Sequence, residues 1–433
     1  MTLAPTSRLL RLAAAIVVPL AGAGGLFPAL AAPCMAVLAV LVSIAAWDAY
    51  RGRRRLEAVR IACPETLRLT KDVASALPLA IENRLPFALW LRIAPALPSA
   101  VSSEKQIETM AVPAGRSLFS WPLTGRERGD LELRRVYAAA ASPLGCWEVR
   151  SEFAVACQFR VYPNLRDRST AALFLRTPQI GLRTHRQVGK GREFETLRQY
   201  LSGDAFEDIH WKATARRSFP VVKQYRVEHA QEIYAAIDSS RLSAREGILE
   251  SYVEAALHLA LVTEKQGDRF GLITFSDRTH RFVRARAGMD HFRLCRETIY
   301  NLRAERVSPD FREVFTSIQL HLRRRSLIVF LTSLDDALLA ESFERDIGLV
   351  ARRHLVLVNV RQTEALTPLF QDEPPADLDA LYAALAGQMQ CNRMRALASA
   401  LGNRGVRLSL VSAGRIKQQV AEGYLDVKRR QAL

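Results

Sequence analysis

The tripeptide Asp238-Ser239-Ser240 gathers one carboxylate and two hydroxyls on a single tight loop. Oxygen donors of this kind suit Mg²⁺, a hard cation that keeps several waters and takes few protein groups. The same residues also serve to satisfy backbone groups at a strand-to-helix turn. Other chemistry has less support. No GxxxxGK[ST] phosphate loop is present, and Gly189-Lys190-Gly191 lacks its spacing. There is neither a GxSxG elbow nor an HExxH helix. The eight histidines form no cluster in the sequence, and His210 beside Trp211 reads as structural. Cys34, Cys63, Cys146, Cys157, Cys295 and Cys391 lie far apart with no CxxC pair. That pattern suits neither a zinc site nor a disulfide framework and fits a reducing compartment, with the thiols as small apolar fillers. No catalytic constellation is visible, so the expectation is a protein that is not an enzyme.

The elements around Asp238 must position it. Glu232-Ile-Tyr-Ala-Ala-Ile-Asp238 is a buried-strand run, followed by Leu249, Tyr252, Val253, Ala256, Leu257 and Ala260 at helical spacing. Phe270–Phe275 is the next strand, with 279–283 beside it. Helical patterns cover 290–302 and 312–322. Ser326-Leu-Ile-Val-Phe-Leu331 is a central strand, a helix is expected over 335–351, and 355–360 and 406–410 are further strands. Strands alternating with helices of this length predict a doubly wound, largely parallel sheet over 231–433. In such sheets ligands bind beyond the carboxyl ends of the strands, where Asp238, Ser240, Thr332 and Ser333 all fall.

Residues 56–165 have another texture. Short apolar runs such as Leu89-Trp90-Leu91-Arg92-Ile93 alternate with Pro and Gly turn signals, which predicts a β-sandwich-like domain. A linker with a basic stretch at 183–192 occupies 166–230. Residues 1–50 read as a two-helix transmembrane hairpin. Leu9–Gly25 is apolar apart from Arg11, and Leu26–Trp47 carries no charge. Arg8 and Arg11 precede the first span, while Arg51, Arg53, Arg54 and Arg55 follow the second. Both ends are therefore expected in the cytoplasm, at an inner membrane. The rival reading is a signal peptide cut near Ala29-Leu30-Ala31. The formal net charge of +17 is spread along the chain without interleaved aromatics. It fits a membrane or acidic-partner surface better than nucleic acid.

The most specific feature is Arg198-Gln199-Tyr200-Leu201-Ser202-Gly203-Asp204, followed by Ile209-His210-Trp211-Lys212-Ala213-Thr214-Ala215-Arg216. It resembles the signature of the bacterial family called domain of unknown function fifty-eight. Arg128-Gly129, Ser142-Pro143-Leu144-Gly145 and Val161-Tyr162-Pro163-Asn164 extend the likeness upstream. The resemblance implies a von Willebrand factor A-like α/β domain and a membrane-anchored adaptor or chaperone-like role beside a MoxR-type AAA+ ATPase. It also implies a metal pattern D-x-S-x-S, a distant Thr and a later Asp. Asp238 and Ser240 match the first two positions. Leu242, Pro309 and Ser333 stand where the other ligands belong, so the site looks degraded and no cofactor is expected; for Mg²⁺ to bind, Asp310, Asp335 or Asp336 would have to replace the missing ligands. Asp335 and Asp336 have the simpler role of first-turn acids after a Ser333 cap. Trp211 is expected to be a buried packing anchor. The alternative function is an envelope-biogenesis enzyme using the strand-end loops.

Overall fold

The computed structural model describes residues 1–26, 31–165, 193–201, 204–217, 219–226, 230–245, 247–362 and 378–430. Two compact units emerge, Met1–Asn164 and Leu165–Leu433.

The first unit begins with β1 (Thr2–Pro5), α1 (Ser7–Leu26) and α2 (Ala31–Glu57). One helix, Ala32–Glu57, is long and apolar enough to cross a membrane by length and composition. α1 is shorter, carries Arg8 and Arg11 in its first turns and is interrupted by Pro19. Among the described residues the expectation of two spans therefore reduces to one candidate. The turn expected between the spans lies largely outside the described residues.

Beyond α2 come β2 (Val59–Ala62), β3 (Thr66–Thr70), β4 (Ala74–Asn83), β5 (Leu89–Pro95), β6 (Val101–Ser102), β7 (Glu108–Val112), β8 (Gly115–Gly125), β9 (Gly129–Ala141) and β10 (Trp147–Tyr162). They form two sheets. One runs β1-β10-β9-β5-β7 with β3 also on β10, and the other runs β2-β4-β8-β6. The alternation in β4 buries Leu77, Leu79 and Ile81 on one face, against Leu91, Val136 and Phe159 from the first sheet. This is the two-sheet core that period-2 patterning demands.

The C-terminal end of α2 is built onto the β9–β10 turn. Asp48 is fully buried in mid-helix. Its carboxylate accepts hydrogen bonds from Ser142 Oγ (2.5 Å) and from the N–H groups of Leu144 (2.8 Å) and Cys146 (3.3 Å). Trp147 Nε1 donates to the Ala45 carbonyl (2.8 Å). Gly52 permits the approach, because a Cβ there would lie 2.9 Å from Val149 Cγ2. The Ser142-Pro143-Leu144-Gly145 segment thus has a structural role: its Ser142 hydroxyl and Leu144 amide are held by a helix carboxylate.

The second unit opens with a hairpin, β11 (Glu193–Gln199) and β12 (Val221–Arg226), whose connection carries a 3-10 turn (Phe206–Asp208) and α3 (Trp211–Arg217). The main body follows as β13 (Glu232–Asp238), α4 (Ile248–Lys265), β14 (Arg269–Phe275), β15 (Thr279–Arg286), α5 (Met289–Ile299), α6 (Phe311–His321), β16 (Leu327–Leu331), α7 (Ala337–Asp346), α8 (Gly348–Ala351), β17 (Leu355–Arg361), α9 (Leu378–Asn403), β18 (Val406–Val411) and α10 (Ile416–Arg429). Its sheet runs β15-β14-β13-β16-β17-β18, parallel except for the edge strand β15.

Side chains alternate across this sheet. Ile233, Ala235 and Ile237 pack under α4, α5 and α10, while Tyr234 and Ala236 face α6, α7 and α9. A strand covered on both faces must be apolar throughout, and β13 is buried from Ile233 to Asp238. On the second face Phe275, Phe311, Phe315, Phe330 and Phe343 make edge-to-face and stacked contacts at 4.9–6.3 Å. Such pairs add about 0.5–1.5 kcal/mol each beyond burial.

The single helix expected over 335–351 is instead two, separated at Ile347. Its cap is not Ser333. The Asp336 carboxylate accepts from the N–H groups of Leu338 (3.1 Å) and Leu339 (3.4 Å), so the helix starts later than the acid pattern implied.

Candidate functional site

Asp238 ends the central strand and is fully buried. One carboxylate oxygen accepts from the Ser240 N–H (2.8 Å), the other from Thr332 Oγ1 at the end of β16 (2.6 Å). Burial pushes its carboxyl above the usual carboxylate range, and the bonds from Thr332 and Ser240 pull the other way. Ser240 Oγ accepts from the Leu242 N–H (3.3 Å), capping the 3-10 turn Arg241–Ser243. Asp238, Ser240 and Thr332 lie together at the strand ends, and their polar atoms close a hydrogen-bonded turn among themselves.

The substitute carboxylates divide. Asp310 caps α6, accepting from the Glu313 N–H (3.0 Å). Asp336 caps α7 and pairs with Arg241 Nη2 (2.8 Å), which holds its carboxyl below the ordinary range. Asp335 Oδ2 meets Arg245 Nη1 at 3.1 Å, while its Oδ1 is buried with no hydrogen-bond partner among the described residues. Arg241 Nε also donates to Ser308 Oγ (2.9 Å). Two guanidinium groups therefore stand on the rim where a cation would have to approach, and like charge opposes its entry. Only Asp335 keeps an unused buried oxygen.

Tyr252 escaped the sequence reading as anything but a helix-face residue. Its hydroxyl donates to the Thr332 carbonyl (2.7 Å) and accepts from the Arg361 N–H (3.2 Å), joining the ends of β16 and β17 beneath the loops. A phenol at an apolar helix position in an α/β sequence is the signal that could have flagged it.

The signature segment is a small module of its own. Arg198 grips Asp204 with two parallel hydrogen bonds, Nη1 to Oδ2 at 2.7 Å and Nη2 to Oδ1 at 2.5 Å. Asp204 also accepts from the Leu201 N–H (2.9 Å). The guanidinium and that amide hold the Asp204 carboxyl below its usual range. Ile209 is buried and bridges to Val222. Tyr200 packs beside Phe206 with ring centroids 5.9 Å apart. Gly203 lies outside the described residues.

Trp211 corrects the expectation of a packing anchor. It is 67% exposed, and Ala215 and Arg216 are exposed with it. As the first residue of α3, its side chain is carried away from the two-stranded ribbon while its neighbour Ile209 takes the inward position. Leu201, Phe206 and Phe219 are exposed as well, so the module turns four large apolar side chains to solvent.

Comparison with known proteins bears on this module. Residues 196–368 match the family described as Protein of unknown function DUF58. The matched stretch begins inside β11 and covers the signature, the Asp238 loop and the sheet through β17. No curated protein matches the chain. Among solved structures, it is similar to conserved hypothetical protein BatB from Bacteroides thetaiotaomicron, at 12% identity and TM-score 0.26, over 44% of this chain and 98% of that one. Proximal thread matrix protein 1 from the mussel byssus matches at 10% identity and TM-score 0.27, with 44% of each chain covered. A PapD-like domain of human CEP192 matches at 12% identity and TM-score 0.18, over 25% of this chain and 87% of that domain. The chain spans less than half of the mussel protein. Likenesses at these scores carry no argument about function.

Proposed function

We propose that this chain is a membrane-anchored adaptor or chaperone-like protein, non-enzymatic in itself. It acts with a MoxR-type AAA+ ATPase through a von Willebrand factor A-like α/β unit. The candidate span within α2 anchors it at the inner membrane, and the β-sheet part after α2 and the α/β unit work in the cytoplasm. Support for the family comes from the match over 196–368, and support for the α/β unit from its mostly parallel sheet with helices on both faces.

The observation that carries the reading is the signature module. Arg198, Asp204 and Ile209 spend their interactions on holding the module in shape. Leu201, Phe206, Trp211 and Phe219 spend none on the core and stand in solvent. Exposed aromatics on a braced scaffold are the composition of an interface centre.

The test is binding between the purified protein and a MoxR-type AAA+ ATPase from the same organism. Trp211→Ala and Phe206→Ser should each weaken binding by roughly thirtyfold, the effect of removing an interface anchor worth about 2 kcal/mol. Being exposed, they should leave the stability within about 0.5 kcal/mol of the parent. Undiminished binding by both variants, or a wild-type protein that does not bind the ATPase, would refute the proposal.

A further inference from the structure

We propose that the end of α2 and the start of α1 form a collar that binds the phosphate headgroups of anionic lipids, an inference that rests on the membrane anchor proposed above. Residues 1–56 contain six arginines, Arg8, Arg11, Arg51, Arg53, Arg54 and Arg55, and one acid, Asp48. The Asp48 carboxylate is buried and already accepts from three donors of the β9–β10 turn. Among the described residues Arg8, Arg11, Arg51 and Arg53 make no ion pair. On the sheets, by contrast, Arg84, Arg92 and Arg134 have carboxylates at 2.5–3.0 Å. The excess positive charge of the collar therefore finds its counter-charge outside the protein.

Packing sorts the end of α2 into two faces. Asp48, Ala49, Gly52 and Leu56 are buried, and Asp48 and Gly52 lie against the β9–β10 turn and β10. Trp47, Tyr50, Arg51 and Arg54, at i, i+3, i+4 and i+7, share the exposed face. There each guanidinium is held by a ring. Arg51 stands 5.2 Å from the centre of the Trp47 ring, and Arg54 Nε donates to the Tyr50 hydroxyl (3.1 Å). The start of α1 docks on the same turn. The Thr6 N–H donates to the Cys146 carbonyl (3.0 Å) and the Thr6 hydroxyl to the Gly145 carbonyl (2.7 Å). A Cβ on Gly145 would lie 3.2 Å from Arg8 Nη1, so the Arg8 guanidinium rests against the turn too. Leu144 of that turn is half exposed.

Position selects the ligand. No residue from Leu12 to Trp47 is charged, so the collar begins where the apolar span ends. With Trp47 at the hydrocarbon edge, Arg51 stands about 6 Å beyond it along the helix. That depth lies inside the headgroup layer, which is roughly 5–8 Å thick on each side. Indole and phenol rings settle at this level, and guanidinium groups pair with phosphate oxygens through parallel hydrogen bonds. The anionic lipids of a cytoplasmic leaflet supply the missing negative charge. A nucleic acid or an acidic protein would use the cations but not Trp47 and Leu144 beside them. The β-sheet part after α2 consequently rests its β9–β10 turn on the bilayer surface instead of swinging on a tether.

The test titrates the full-length protein in mild detergent with phosphatidylglycerol or phosphatidylcholine and counts bound lipid by native mass spectrometry. Phosphatidylglycerol should bind about 25-fold more tightly. Arg8→Gln, Arg51→Gln and Arg54→Gln should each weaken it about fivefold, and the Arg51/Arg54 double variant should fall close to the phosphatidylcholine level. Arg134→Gln, an exposed arginine on β9, should leave the preference unchanged. Equal affinity for the two lipids, or an undiminished preference in the double variant, would overturn the proposal. So would a polyglutamate peptide or a DNA duplex that binds more tightly than the lipid and is lost in the same variants. The anchor is read separately, by washing membranes with alkaline carbonate. Release by that wash refutes the anchor, whereas protein that is retained but shows no phosphatidylglycerol preference refutes the collar alone.

Discussion

Lowering the pH from 7 to 5 should weaken the α/β unit by about 2 kcal/mol through one side chain, His354. This imidazole is 3% exposed just before β17, and neither ring nitrogen has a hydrogen-bond partner among the described residues. Burial, with a smaller contribution from the charge of Arg353, lowers its pKa from 6.5 to about 4. Between those values the unfolded chain takes up a proton that the native state refuses, so stability falls as the pH falls. The full gap is worth about 3 kcal/mol, of which about 2 develops between pH 7 and 5. Asp238 acts in the opposite sense. Its raised carboxyl pKa gives stability that is complete at low pH and fades as the pH rises. Comparison with His354→Leu cancels that background. Urea unfolding of the detergent-solubilised protein, read by hydrogen exchange of peptides covering 327–331 and 355–361, measures both profiles. The Leu variant should lose about 2 kcal/mol less than the parent on acidification. Equal losses in both proteins, or an imidazole resonance of His354 titrating near pH 6.5, would show that burial does not control this group.

Gly271→Ala should cost about 1–3 kcal/mol by overpacking, because a Cβ there would fall 2.3 and 2.5 Å from ring atoms of Tyr234; a lowered melting midpoint of the α/β unit reads it. Asp48→Ala should leave the Ser142 hydroxyl and the Cys146 N–H without their buried acceptor, at about 1–3 kcal/mol for each buried group left unpaired. Faster hydrogen exchange across 142–147 is the direct measure. Millimolar Mg²⁺ should not stabilise the α/β unit by the ~2.7 kcal/mol that an ion at 100 times its dissociation constant contributes, as read from thermal melts with and without chelator. A stabilisation of that size that vanishes in Asp335→Asn would instead assign the unused Asp335 oxygen to a cation.

Much of the α/β unit was legible in the chain because its signals are local. A strand buried on both faces has to be apolar throughout, so Ile233–Ile237 and Leu327–Leu331 announce themselves without their partners. The helix over 248–265 carries its own period, and the strand ends follow by counting, which is why Asp238, Ser240 and Thr332 could be placed together. The signature was legible as residues but not as geometry. Ile209 and Trp211 sit two apart in one short segment, and nothing in their types says which is buried; the turn into α3 decides, and it exposes the larger. Asp336 rather than Ser333 caps its helix because the last turn depends on where the chain leaves β16. Asp48 reads as a lone charge after an apolar run until the β9–β10 turn supplies three donors from ninety and more residues away. Arg8 likewise has no shared period with Arg51 and Arg54. It joins them only because the start of α1 and the end of α2 both dock on that turn. Propensity and period are properties of neighbouring residues and survive in the sequence alone. The meeting of distant polar groups is set by strand order and register, which only the packed sheet determines.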